Sequence, residues 1–184
     1  MKSEQLIQSL IGQTKKIINK ASSLKDENPA NLKWRPEPNS WNILECLEHL
    51  NLYGKFYLHE IEKSILNAKK QSTPDFKSGF LGNYFANSML PKEQLNKMKT
   101  FKNKNPLNSN LNKQQVLNEF TNQQQQLLNL LNQSQDVDLN NTKVRTTLSN
   151  FIKLKLGDIF QFLINHNLRH LKQIERIEQQ LKNI

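Results

Sequence analysis

Between Phe160 and Leu181 the chain runs without a glycine or a proline, and Phe160, Leu163, Asn167, His170, Ile174, Ile177 and Leu181 recur at three- and four-residue intervals. A stripe of that length is a helix with one face to bury. It cannot bury that face alone. The pattern leads in through Leu156-Gly157-Asp158, where Asp158 followed by Gln161 has the spacing of a capping pair, and runs to about Lys182.

Three further stripes supply the partners. Leu6, Ile7, Leu10, Ile11, Ile17, Ile18, Ala21 and Leu24 mark a first amphipathic helix from about Ser3 to Leu24. Pro29, Pro36 and Pro38 then break the chain into an extended stretch in which Trp34 and Trp41 either cap a core or line a pocket. Asn42 and Glu45 form a capping box for a second helix, whose inner face carries Ile43, Leu47, Leu50, Gly54, Tyr57, Ile61 and Ile65. Gly54 there implies close approach by a neighbour, and the Tyr57 hydroxyl should find a partner or reach the edge of the core. The third helix spans about Lys113 to Gln133, with Gln123-Gln124-Gln125-Gln126 expected on its outer face.

A long connection, Ser72 to Asn112, separates helices two and three; Phe80, Leu81, Tyr84, Phe85, Met89 and Leu90 fit one short helix lying against the bundle. Connections of this length serve as lids, binding loops or plain crossovers. A loop follows helix three from about Asp136 to Thr147, and the apolar signal returns at Leu148 and Phe151. With few glycines and prolines, the expectation is an all-α fold, a four-helix bundle forming one domain over residues 1–184.

Two of the four histidines, His166 and His170, stand four residues apart on the last helix, so their rings share one face. A transition-metal site usually takes a third protein ligand. His49, in the first turns of helix two, is the candidate. Counted from Asn42 and Asp158, His49 and His166 differ in depth by only about 1.5 Å if the two helices run parallel from level starts. Alternating directions through helix three make the two helices parallel; an antiparallel arrangement would set the histidines at opposite ends and make the site impossible. Buried imidazoles also serve as plain hydrogen-bonding groups, which is the alternative. His59 turns about 80° off this face and reads as an ordinary residue, at the surface or partly buried. Glu45, one turn before His49, is a weak catalytic candidate as base or outer partner, although capping already accounts for it. Asn167 would orient a ligand or bridge helices; Arg169 would steer an anionic cofactor or face solvent.

The net charge of +10 raises a nucleic-acid partner. The lysines are spread along the chain, with one local excess from Lys92 to Lys104 and no interleaved aromatic or arginine pattern, so a solvated face accounts for them and nucleic acid is not the expected partner. A single cysteine, Cys46, excludes an internal disulfide and reads as a buried, inert thiol. No stretch is apolar enough to cross a bilayer and the first residues lack a secretory pattern. The expectation is a cytoplasmic protein.

The segment Trp41-Asn42-Ile43-Leu44-Glu45-Cys46-Leu47-Glu48-His49-Leu50 resembles the Trp-Ser-x-x-Glu-x-x-x-His-Leu signature of the DinB-like (YfiT-like) superfamily, and His166 through Ile174 resembles its His-x-x-x-His-x-x-Gln-Ile motif. Asn42 replaces the usual Ser. The resemblance implies a four-helix bundle holding a divalent metal, commonly zinc or nickel, through three histidines that map to His49, His166 and His170. It also implies thiol chemistry, since the superfamily includes bacillithiol- and mycothiol-dependent S-transferases and a thiol-dependent isomerase. The expected activity is therefore thiolate attack on a small electrophile, with a low-molecular-weight thiol as cosubstrate. A metal-dependent hydrolase and a non-catalytic metal-binding bundle, including a homodimer, are the alternatives.

Overall fold

Each of the four apolar stripes becomes a long helix. The computed structural model describes residues 1–69, 71–91, 99–149 and 151–183. Its helices are α1 (Ser3–Ser23), α2 (Pro29–Lys33), α3 (Ile43–Leu66), α4 (Phe80–Ser88), α5 (Lys113–Gln133) and α6 (Leu156–Lys182), and strands β1 (Lys143–Arg145) and β2 (Lys153–Lys155) pair antiparallel, Val144 opposite Leu154. In the bundle, α3 and α1 each pack on both α5 and α6, while α4 lies on α6. The fold is all-α with this one small hairpin added. Ile17, Leu47, Phe120 and Phe160 sit at its centre with no exposed surface.

Named contacts give the directions. Trp41 meets His170, His49 meets both His166 and His170, and Tyr57 meets Phe162, so α3 descends as α6 ascends. The Lys20 ammonium pairs with Glu178, and Phe76, tied to the Met1 carbonyl, packs against Gly157; α1 therefore runs with α6. Lys113 donates to the Glu27 carbonyl, which places the start of α5 at the end of α1. It follows that α3 and α5 are parallel neighbours. No short turn joins parallel neighbours, so the chain must travel back along the bundle between them. That is the job of the long connection.

The parallel arrangement expected for α3 and α6 is thus overturned, and with it the claim that an antiparallel pair could not bring the histidines together. Level starts were the error. The hairpin before α6 lies beside the C-terminal end of α3, where Ser64 donates to the Lys143 carbonyl and Glu60 meets Arg145. The middle of the longer α6 then falls opposite the first turns of α3.

The cap assigned to Asp158 is also corrected. Helix α6 begins at Leu156 with Lys155 at the cap and no side-chain cap bond. Asp158 instead sits in the first turn, where its carboxylate suits the helix dipole; it accepts hydrogen bonds from the Ser78 hydroxyl and from the Gly79 amide at 3.0 Å. The glutamine tract is an outer face only in its second half: Gln125 is exposed, whereas Gln123 and Gln124 are buried. A Cβ on Gly54 would lie 1.8 Å from the Gln123 side-chain oxygen, so the close approach at Gly54 comes from that amide. Leu148 and Phe151 lie between the strands and are exposed, Phe151 at 95 %. On α4, Gly82 and Ala86 face inward while Phe80 and Tyr84 face out.

Other expectations hold. The Asn42–Glu45 box is present in both directions at 2.9 Å, and the Tyr57 hydroxyl pairs with the Thr147 hydroxyl at 3.1 Å. Cys46 is fully buried, and burial pushes its thiol pKa up. His59 is exposed. The lysine-rich run from Lys92 lies mostly outside the described residues. No helix among the described residues is long and apolar enough to cross a membrane.

Candidate metal centre

Helix α3 presents His49 and α6 presents His166 and His170, and the three rings converge between the two helices. The His49 Nε2 is 3.1 Å from the His166 Nε2, which is 3.1 Å from the His170 Nε2. One nitrogen from each lies within 4.8 Å of the others. Zinc–imidazole bonds of about 2.0–2.1 Å require ligand nitrogens separated by roughly 3.0–3.4 Å, depending on the bond angles.

The outer nitrogens decide what the inner ones can do. His49 Nδ1 is 2.7 Å from the Lys104 main-chain carbonyl, which can only accept, so the proton is on Nδ1 and the Nε2 lone pair faces inward. His170 Nδ1 is 3.0 Å from the Gln173 side-chain oxygen, which fixes the same tautomer. Between them, the His166 Nε2 has one proton at most. With a proton there it donates to one neighbour and leaves the other's lone pair without a donor. If its proton is on Nδ1, all three lone pairs face one another.

Protonation does not relieve this. Burial holds His49 down to about 4 and His170 down to about 3, and burial holds His166 well below the usual histidine range, with the neighbouring imidazoles adding to the effect. All three rings are neutral at pH 7, the form in which imidazole binds metals. Buried His166 Nδ1 is without a hydrogen-bond partner among the described residues, which marks the cluster as incomplete on protein atoms alone. A divalent cation accepting the three inward Nε2 lone pairs would resolve the conflict between them.

Aromatic rings enclose the centre. Trp41 stands 4.6 Å from His49 and 5.7 Å from His170, centroid to centroid, and Tyr53 stands 4.8 Å from His166 and 5.0 Å from His49. Of the two alternatives for the tryptophans, Trp41 lines the site while Trp34 packs at the edge of the core. Burial pushes the Tyr53 hydroxyl up to about 12, so it stays protonated. Spacing could have found Tyr53, one turn beyond His49, and Gln173, three residues beyond His170. Nothing in the sequence marks a main-chain carbonyl such as that of Lys104.

Glu45 is fully engaged elsewhere. Beyond the cap amide at Oε2, its Oε1 receives the Arg35 guanidinium at 3.0 Å and the Asn108 amide at 2.6 Å, which gives it a structural role at the helix start. Asn167 bridges helices, donating to Gln124 Oε1 at 3.0 Å. Arg169 is buried and not solvent-facing. A cavity of about 570 Å³ lies at the opposite end of α3, lined by Lys63, Lys143, Arg145 and Lys153 among others. It shares no residue with the histidines, and the donor geometry, not cavity size, identifies the site.

The sequence model of the DinB superfamily matches residues 17–174, a span that contains all three histidines. No curated protein and no solved structure matches the chain.

Proposed function

The chain belongs to the DinB superfamily, and we propose that it is a metal-dependent enzyme in which His49, His166 and His170 hold one divalent cation, zinc or nickel, and direct a low-molecular-weight thiol against a small electrophile. The observation that carries this reading is the pair of outer hydrogen bonds that turn the His49 and His170 lone pairs toward His166. Three neutral imidazoles leave coordination positions open, which distinguishes a catalytic site from a closed structural one. When bound, the cation would lower the pKa of a thiol, or of water, in such a position and so supply a nucleophile at neutral pH.

The protein's own residues orient and enclose. Lys104 and Gln173 fix the ring tautomers, burial keeps the rings neutral, and the Trp41 and Tyr53 faces exclude water from one side of the centre. Both Glu45 oxygens are occupied by the Asn42 amide, the Arg35 guanidinium and the Asn108 amide, so it is not the base.

The test is elemental analysis of protein purified without a polyhistidine tag, followed by conjugation of an alkylating probe with common low-molecular-weight thiols. One equivalent of metal and thiol-dependent acceleration are expected. Metal without acceleration by any thiol would remove the transferase reading and leave a metal-binding bundle.

A further inference from the structure

The connection between α4 and α5 reaches the histidine cluster through one short turn. Residues Lys102–Lys104 form a single 3₁₀ turn, and the chain that follows touches the site region at several points. The Lys104 carbonyl accepts from His49 Nδ1 at 2.7 Å, and its ammonium donates to the Leu52 carbonyl of α3 at 2.6 Å. The Asn105 side-chain oxygen accepts from the Trp41 indole at 3.0 Å and from the Leu107 amide at 3.2 Å. Asn108, at φ 61, adopts the left-handed conformation that asparagine tolerates and directs its amide to Glu45. One turn thus holds a candidate ligand, a ring of the enclosing wall and the carboxylate that caps the ligand's helix.

Core packing seats this segment only at buried Pro106. Asn105 and Asn108 are exposed, and α3 is already capped by its own Asn42. What the turn does supply is orientation: the Lys104 carbonyl fixes the His49 tautomer, and Asn105 fixes the Trp41 ring that leans on both His49 and His170.

We propose that the turn at Lys104 and Asn105 is a positioning element of the metal centre, so that cation affinity is set in part by a segment outside the ligand helices. The inference rests on the metal reading above. A cation on Nε2 draws electron density from the ring and makes Nδ1–H a stronger donor, so the bond to Lys104 strengthens on binding. By linkage, seating of the turn raises cation affinity by the factor by which the cation favours the seated turn.

The experiment uses the full chain with Zn²⁺ as the probe. Asn105→Ala removes the tie to Trp41 and no core packing; Asn103→Ala, at an exposed neighbour, is the control. Asn105→Ala is expected to weaken Zn²⁺ binding at least about tenfold with stoichiometry unchanged, and Asn103→Ala to leave it as in the wild type. Amide exchange, read by mass spectrometry over the peptide containing Lys104, is expected to slow on Zn²⁺ addition in the wild type and to slow less in Asn105→Ala. Unchanged affinity in Asn105→Ala, or exchange in this peptide indifferent to Zn²⁺, overturns the proposal while stoichiometric binding lost in the histidine variants leaves the ligand assignment standing. Absence of binding by the wild type overturns both.

Discussion

Two buried polar groupings lie side by side in this bundle, and they are built to opposite rules. Among the amides linking α3, α5 and α6, donors meet acceptors: Asn167 donates to Gln124, Gln123 donates to the Asn51 carbonyl and to Glu119, and Asn51 donates to Glu48 and to the Val116 carbonyl. Of these side chains only the Asn51 oxygen is buried without a partner among the described residues. Among the histidines, the inward lone pairs of His49 and His170 face a His166 Nε2 that has one proton at most. Buried polar residues as such therefore do not mark a ligand site, because a satisfied set is a structural device. What marks it is a set whose internal hydrogen bonds cannot all be made.

That contrast is sharpened first by metal content, where the effect is all or none. His49→Ala, His166→Ala and His170→Ala are each expected to abolish stoichiometric metal in elemental analysis, whereas Gln124→Ala keeps it. A chelator should lower the melting temperature of the wild type by removing a ligand of the folded state, and leave the three histidine variants unmoved.

Stability gives the next largest effect, and the two groupings should differ in response. Gln124→Ala leaves the buried Asn167 amide without its acceptor and is expected to cost about 1–3 kcal/mol in urea unfolding. His166→Leu, measured in chelator, removes a lone-pair conflict and replaces it with apolar bulk, so a much smaller loss or a gain is expected. Equal losses in the two variants would show that the histidines are satisfied as they stand and would sink the comparison. At the helix start, Glu45→Gln weakens the cap and the Arg35 contact and should cost about 0.5–2 kcal/mol, without loss of metal. The smallest signal is Cys46: with its thiol fully buried and its pKa raised, native protein should resist thiol-alkylating reagents that label it quickly in urea, and rapid native labelling would contradict the packing around α3.

The stripes made the four long helices legible, down to the limits of α5 and the cap at Asn42, because three or four turns of one-sided burial leave a strong periodicity. The shared face of His166 and His170 on α6 was equally plain, since i and i+4 are neighbours on any helix. Relative helix direction was not, because residues on two helices carry no local record of which way they pass; the length of the 67–112 connection was the one clue. Three-residue strands are too short to show an alternation. Asp158 misled because a carboxylate suits both a cap and the first helical turn, and the buried glutamines because an amide reads as polar until its partner is known.

His49 and His166 are 117 positions apart, and this fixes an order of events during synthesis. A growing chain holds one imidazole of the set through the making of α1 to α5, too few to compete for a cation, and acquires the other two within a single turn of α6. On the proposed metal reading, cation capture would come only after α1 to α5 have been made, so the ion would act as a latch on the finished protein, not as a template for its assembly.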